Sequence, residues 1–156
     1  TARQVARTFK GVEHRIELVR EKDGVRFYND SIASSPSRTI AGLRSFQQKV
    51  ILIAGGYDKH IPYDVLGPEI CRHVKRLIVT GATGEKIRQA VLAAPEYREG
   101  QPEILSITEF DQAVLEAARG AEPGDVVLLS PASAAFDRFR NFMVRGQHFK
   151  ELVRSL

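Results

Sequence analysis

The stretch KVILIAGG, residues 49–56, decides the fold of this chain. Val50 to Ala54 are all apolar, which is typical of a strand buried on both faces of a parallel sheet. Gly55 and Gly56 then allow the backbone to turn sharply where the strand ends. The sequence therefore predicts a buried strand over residues 49–54 and, with it, an α/β arrangement.

The residues before this strand predict a hairpin followed by a helix. Segments 16–20 and 25–29 flank residues 21–24, whose Asp23-Gly24 pair is a hairpin-turn signal. Ser35 precedes Pro36, the pattern of a hydroxyl N-cap followed by proline at the first helical position. The apolar residues of the predicted helix recur at helical spacing: Ile40, Leu43 and Phe46.

Helical and strand patterns alternate over the rest of the chain. Further strands are predicted at 76–80, 103–106 and 125–129, the last after a break at Pro123-Gly124. Helices are predicted at 63–73, at 84–93, around Ala113–Ala117 with a cap from Thr108 and Asp111, and at 137–156 with a bend near Gly146. Together these patterns predict one α/β domain with a mostly parallel sheet, entered through a hairpin.

Composition narrows the class of protein. The 156 residues carry a net charge of +4 at a pI near 9.4, but the basic residues are scattered and not interleaved with aromatic ones. This pattern disfavours nucleic-acid binding and suits the attraction of small anions such as nucleotides or dicarboxylates. No apolar run approaches membrane-spanning length, and the N-terminus lacks a signal-peptide pattern. A single cysteine, Cys71, suits a reducing cytosol. We therefore expect a cytoplasmic protein.

Ligands of open α/β sheets bind beyond the carboxyl ends of the strands, where three loops are unusual. The first, residues 29–36, places polar side chains beside a helix start, which favours an anion but also suits an ordinary capped turn. The second, residues 55–59, combines two glycines with Lys59, a cation suited to a carboxylate or phosphate unless it is simply solvated. The third, residues 129–137, has small residues and hydroxyls that leave room for a ligand.

Other signals are weaker. Phe139 and Phe142 are three residues apart on the predicted last helix, so one of them could line a pocket, or both could belong to the core. Residues 81–84 match only a fragment of a dinucleotide-binding loop. The four histidines show no metal-ligand spacing with Cys71, and no zinc site is predicted: His14, His60, His73 and His148.

Read in order, these loops resemble the C-terminal domain of the Mur ligases, and most closely that of the members that add D-glutamate. The resemblance covers about residues 9–152, nearly the whole chain. The matching stretches are Gly11-Val12-Glu13-His14-Arg15, Phe27-Tyr28-Asn29-Asp30-Ser31, Ile53-Ala54-Gly55-Gly56 with Asp58-Lys59, Leu128-Leu129-Ser130-Pro131-Ala132, Phe136-Asp137, Arg140-Asn141-Phe142 and Arg145-Gly146. Each piece alone is weak, whereas the ordered set is specific.

The resemblance implies a Rossmann-like three-layer domain, with helices on both faces of a mostly parallel sheet and an N-terminal β-hairpin. It also implies a reaction in peptidoglycan precursor synthesis. ATP converts the carboxylate of UDP-N-acetylmuramoyl-L-alanine to an acyl phosphate, and the amine of D-glutamate attacks it. Such catalysis depends on positioning and electrostatics more than on a protein nucleophile.

The resemblance also assigns residues to ligands. Arg15 and Asp30 match positions that reach ATP, with Asp30 at the ribose. Ser34, Lys59 and Phe142 match positions around D-glutamate, where Lys59 would hold a carboxylate. No catalytic residue and no metal ligand is carried over to this chain.

Two positions depart from the family pattern. Ile32 stands where a lysine is common, and Ala135 stands where a serine is common. Arg38 could replace the missing cation, and Ser133 offers a hydroxyl near Ala135. These departures imply a variant geometry for binding the amino acid, or a different amino acid.

The resemblance implies domain bounds as well. Residues 1–8 are interpreted as the remnant of a linker from a central ATPase domain, and residues 9–156 as a single C-terminal domain that packs against it. ATP and Mg²⁺ would be bound mainly by the central domain, and this chain alone would be inactive. The alternatives are another Mur ligase, a folylpolyglutamate synthase, or a stand-alone Rossmann-like binding module.

Overall fold

The computed structural model describes residues 12–136 and 138–156. The predicted linker remnant at residues 1–8, the next residues 9–11, and Asp137 lie outside the described part of the chain.

Six strands and five helices make up the described residues. The strands are β1 (Glu17–Lys22), β2 (Val25–Asn29), β3 (Val50–Ala54), β4 (Val74–Val79), β5 (Glu103–Ser106) and β6 (Val126–Leu129). The helices are α1 (Pro36–Arg44), α2 (Leu66–His73), α3 (Gly84–Ala93), α4 (Phe110–Arg119) and α5 (Phe142–Arg154). The sheet order is β1-β2-β6-β3-β4-β5, in which only the β1–β2 pair is antiparallel. The predicted α/β class is confirmed.

Strand β3 explains why helices cover both faces of the sheet. It lies between β6 and β4, and all five of its residues are buried. Leu52 and Ala54 pack in the core beneath α1, α2 and α3, whereas Ile51 and Ile53 pack in the core beneath α4 and α5. Because successive side chains of a strand point to opposite faces, its unbroken apolar run supplies two cores at once.

The predicted hairpin turn is confirmed. Asp23 and Gly24 have φ angles of 54° and 80°, the left-handed values that a two-residue type I′ turn requires at both central positions. The turn brings β1 against β2, with Lys22 opposite Val25. The strand β2 is thereby covered on its outer side, and its other neighbour is β6.

The end of the chain differs from the prediction of one helix over residues 137–156. Helix α5 begins at Phe142, because Asn141 has extended backbone and its side-chain oxygen accepts a hydrogen bond from the amide of Val144 at 2.9 Å. The helix continues through Gly146, where a side chain would collide with the ring of His14, so this glycine permits a close approach. Phe139 therefore does not share a helix with Phe142; it packs edge-on against Phe110.

Two predicted caps were also wrong in their chemistry. Ser35 occupies the N-cap position of α1 with Pro36 after it, but its hydroxyl makes no capping bond to the helix. Helix α4 starts after Glu109, and the carbonyl of Thr108 instead accepts the hydroxyl of Thr80 at 2.8 Å. Among the described helices, none combines the length and apolar composition that a bilayer crossing requires.

Candidate functional site

The three loops singled out in the sequence meet at the carboxyl edge of the sheet. They follow β2, β6 and β3, which are neighbours, and backbone hydrogen bonds join them directly. The amide of Ala132 donates to the carbonyl of Ala33 at 2.9 Å. The amide of Gly55 donates to Pro131 at 2.8 Å, and that of Tyr57 to Ala134 at 2.9 Å. The third loop thus lies between the other two, as the strand order requires.

Asp30, in the first loop, is a buried carboxyl group, 3% exposed. One oxygen accepts the backbone amide of Ile16 at 3.2 Å, and the other accepts the hydroxyl of Ser130 at 2.8 Å. Burial raises the pKa of Asp30 to about 6, although both hydrogen bonds oppose this shift. The group is therefore mainly ionised at neutral pH and available to accept further hydrogen bonds.

A cavity of about 220 Å³ lies against Asp30. Arg15 and Arg38 also line it, and both of these residues are exposed. The cavity is smaller than the ~300–1,000 Å³ of typical small-molecule sites. A carboxylate that shares a cavity with two arginine side chains suits a polar ligand that offers hydroxyls and negative charge.

Arg145 holds the first and third loops together. It lies on α5 and is only 2% exposed. Its guanidinium donates to the hydroxyl and the carbonyl of Ser31 at 2.9 and 2.8 Å, and to the carbonyl of Ser133 at 2.9 Å. The family resemblance included Arg145 but implied no role for it; the available signal was an arginine among the core positions of an amphipathic helix.

A network of buried hydroxyl groups is hydrogen-bonded to the second loop. The hydroxyl of Thr83 accepts the amide of Gly56 at 2.9 Å and lies 2.8 Å from that of Ser133. Ser133 in turn lies 2.9 Å from the hydroxyl of Tyr63. Thr83 and Ser133 are fully buried, so this network fixes the glycine turn and the third loop relative to each other. Hydroxyl residues this far apart in sequence gave no signal of the network.

The residues matched to D-glutamate positions lie around these loops. Lys59 is exposed in the second loop, and no hydrogen bond or ion pair engages it among residues 12–136 and 138–156. Ser34 is half-buried and follows Ala33, which is bonded to the third loop. Phe142 is half-buried, and its carbonyl accepts the hydroxyl of Ser31 at 2.7 Å. The roles of these three residues in binding remain predictions.

Comparison with protein families decides the classification. The profile described as "Mur ligase, glutamate ligase domain" matches residues 14–133, more than half of the chain. The chain belongs to the Mur ligase family.

Curated relatives of this Mur ligase domain share much of its sequence. It is 60% identical over 157 residues to the UDP-N-acetylmuramoylalanine--D-glutamate ligase of Acetivibrio thermocellus, an alignment that covers 99% of the chain and 34% of the relative. It is 53% identical to the enzyme of that name from Clostridium beijerinckii, with 99% and 34% covered. The chain thus spans about a third of the length of these relatives.

Solved structures show the same fold at low identity. A murein peptide ligase from Psychrobacter arcticus superposes with a TM-score of 0.61 at 14% identity, covering 92% of this chain and 30% of that one. A bifunctional folylpolyglutamate synthase/dihydrofolate synthase from Yersinia pestis, complexed with AMPPNP and a Mn ion, gives 0.61 at 15% identity, covering 92% and 32%. The Rossmann-like arrangement expected from the resemblance is confirmed.

The structure shows where the two suggested replacements for missing family residues lie in this Mur ligase domain. Arg38 lines the cavity beside Asp30. The hydroxyl of Ser133 is fully buried and bonded to Thr83 and Tyr63, because its side chain points beneath the loop. Sequence proximity to Ala135 gave no information on this direction.

One group of metal-binding side chain types occurs in the described part of the Mur ligase domain: Glu13, His14 and Glu17. The ammonium of Lys150 lies 2.7 Å from Glu13 and 3.1 Å from Glu17, and the Lys150 side chain is only 5% exposed. Burial lowers the pKa of His14, which keeps its ring neutral near pH 7. Lys150 already supplies the compensating charge, so these residues do not fit a bound Mg²⁺ ion.

Proposed function

We propose that this chain is the C-terminal domain of an ATP-dependent amide-bond ligase that joins D-glutamate to UDP-N-acetylmuramoyl-L-alanine, in the synthesis of peptidoglycan precursors. The main support is the 60% identity to a ligase of that name, over 99% of the chain. The proposal includes a longer protein, in which a central domain precedes this one and binds most of the ATP and its Mg²⁺. Residues 1–8 would be the end of the linker from that domain.

The Asp30 cavity supports a role at the edge of the nucleotide. Arg15 would face the negatively charged phosphates, and Asp30 would accept hydrogen bonds from the hydroxyls of the ribose. The carboxylate has unused lone pairs, since the amide of Ile16 and the hydroxyl of Ser130 occupy only one on each oxygen. When bound, ATP supplies the phosphoryl group that activates the carboxylate of the muramoyl substrate as an acyl phosphate.

The charge and placement of Lys59 support a role with the amino acid. Its ammonium is exposed at the carboxyl edge of the sheet and lacks a described partner, so it can pair with a carboxylate of D-glutamate. The hydroxyl of Ser34 would donate to a carboxylate, and the ring of Phe142 would limit the space. These groups hold the amine in position for attack, which is how proximity accelerates a reaction of this kind.

A substrate comparison in the full-length ligase tests the proposal. With ATP, Mg²⁺ and UDP-N-acetylmuramoyl-L-alanine present, we expect ADP release on addition of D-glutamate and none with L-glutamate, L-lysine or meso-diaminopimelate. Turnover with another amino acid and none with D-glutamate would instead assign the domain to another Mur ligase. Turnover with a folate and L-glutamate would assign it to a folylpolyglutamate synthase.

A further inference from the structure

An ion pair ties the Lys59 loop to helix α3. A carboxylate oxygen of Asp58 lies 2.6 Å from the ammonium of Lys86, in the first turn of that helix. The other oxygen of Asp58 accepts the backbone amide of His60 at 2.8 Å. Both oxygens of Asp58 therefore have partners, neither of which is Lys59.

Lys59 and Asp58 are neighbours of opposite charge that do not pair with each other. The Asp58 side chain is 20% exposed and turned toward Lys86, whereas Lys59 is exposed and has no described partner. Apart from Lys86, the ring of His60 lies 3.9 Å from the Asp58 carboxylate, and Lys59 is the adjacent residue in the chain. Without Lys86, the Asp58 carboxylate would be free to pair with Lys59. An Asp58–Lys59 pair would neutralise the charge that a substrate carboxylate needs.

We propose that Lys86 is a positioning residue for amino-acid binding: it holds the Asp58 carboxylate away from Lys59 and so keeps the Lys59 ammonium available for a carboxylate of the amino acid. This inference rests on the proposed role of Lys59. Lys86 itself touches no substrate, and its effect passes through Asp58. The Asp58–Lys86 contact joins two separate segments, so no sequence pattern indicated it.

The size of the effect follows from the strength of exposed ion pairs. Such pairs contribute roughly 0.2–1 kcal/mol, which corresponds to at most about a fivefold change in an equilibrium constant. We therefore expect Lys86→Gln to raise the KM for D-glutamate about two- to fivefold in the full-length ligase, with kcat unchanged. Lys86→Arg should keep the KM of the unaltered ligase, because the cation is retained.

A double mutant distinguishes this role from a purely structural one, in which the Asp58–Lys86 pair only maintains the conformation of the loop. Removing the charge of Asp58 leaves nothing to compete for Lys59, so Asp58→Asn combined with Lys86→Gln should restore the original KM. If the ion pair only maintained the conformation of the loop, the double variant and Asp58→Asn would have a KM raised as much as that of Lys86→Gln. That result, or an unchanged KM in Lys86→Gln, would overturn the proposal.

Two further variants complete the experiment. Lys75→Gln is the matched control, because it removes an ion pair, Lys75–Asp125, at the far end of the strands. The Lys75 side chain is 45% exposed, against 46% for Lys86. The KM for D-glutamate of this variant should not change. Lys59→Ala should raise the KM for D-glutamate roughly 10- to 100-fold, as expected for the loss of a charge-assisted bond. An unchanged KM in Lys59→Ala would refute the proposed role of Lys59, whereas a raised KM there with no effect of Lys86→Gln would refute only the inference about Lys86. Thermal unfolding of each variant verifies that it folds.

Discussion

Asp30 combines a buried carboxyl group with a polar cavity. Desolvation disfavours its charged form, and the bonds from Ser130 and Ile16 recover only part of that loss, which leaves a pKa of about 6. Because the folded pKa exceeds the usual value of 3.8, the folded state binds this proton more tightly than the unfolded state does. The stability that the protonated group contributes is present below about pH 4 and is lost as the pH rises through 6.

Asp30→Asn removes this titration and tests it directly. A shift from 3.8 to about 6 corresponds to about 3 kcal/mol. We expect the unfolding free energy of the unaltered chain, minus that of Asp30→Asn, to fall by about this amount between pH 3 and pH 8. Urea denaturation of both proteins across that range measures the difference, which cancels other titrating groups. A difference independent of pH would show that Asp30 titrates normally.

Lys59 and Asp30 were assigned roles from the sequence, whereas Arg145 and Thr83 were not. The first two lie in loops whose position follows from the strand pattern, so their location at the carboxyl edge could be predicted. The contacts of Arg145 and Thr83 join segments far apart in the chain. Which side chain turns toward which loop depends on packing that the pattern does not contain.

At the scale of elements, helix α1 lies close to the Asp30 carboxylate through Gly42. A side-chain carbon at this position would lie 2.7 Å from an oxygen of Asp30. Replacing glycine by alanine within a helix usually stabilises it by up to about 1 kcal/mol. Here the space is already occupied, so the helix preference and the packing of the site oppose each other.

Gly42→Ala should therefore destabilise the chain and raise the KM for ATP in the full-length ligase, because Asp30 must move. Gly84→Ala is the matched control, since a side-chain carbon there would meet its nearest neighbours at ordinary contact distances of 3.4 Å or more. Urea denaturation should show a loss of stability for the first variant only. Equal or greater stability in Gly42→Ala would mean that α1 shifts without disturbing Asp30.

The hydroxyl of Thr83 makes one of the hydrogen bonds between the β4–α3 turn and the glycine turn, and the backbone amide of Thr83 also donates to the carbonyl of Gly56 at 3.1 Å. Thr83→Val keeps the shape of the side chain but leaves the amide of Gly56 without its acceptor. An unsatisfied buried group costs about 1–3 kcal/mol, so we expect the unfolding free energy to fall by that amount and the Gly56 amide to exchange faster with solvent. Thr83→Ser keeps the hydroxyl and should lose less. Equal stability of the two variants would exclude this role for the hydroxyl.

At the scale of the whole molecule, the site faces outward from one edge of the sheet. The cavity beside Asp30 has a volume of about 220 Å³, less than that of typical small-molecule sites, and Lys59 is exposed to solvent. Both features suit a domain that completes its site by closing onto another, a step that gates the chemistry. We therefore expect the isolated chain to bind these ligands weakly.

The isolated chain should therefore release no ADP from ATP in response to D-glutamate and the muramoyl substrate. The full-length ligase, assayed under the same conditions, is the positive control. Calorimetric titration of the isolated chain with ATP should give a much weaker affinity than that of the full-length ligase. D-glutamate-dependent ADP release by this chain alone would refute the proposal that a central domain must bind the ATP.

The sequence by itself determined the α/β class, the hairpin and the location of the three loops. Each of these follows from local chemistry: an apolar run that must be buried on both faces, an Asp-Gly turn, and glycines or polar residues at strand ends. The tertiary structure decided where α5 begins, where Ser133 and Arg38 point, and that Asp58 pairs with Lys86. Those features depend on contacts between distant segments, whose geometry is set only when both cores pack against the sheet.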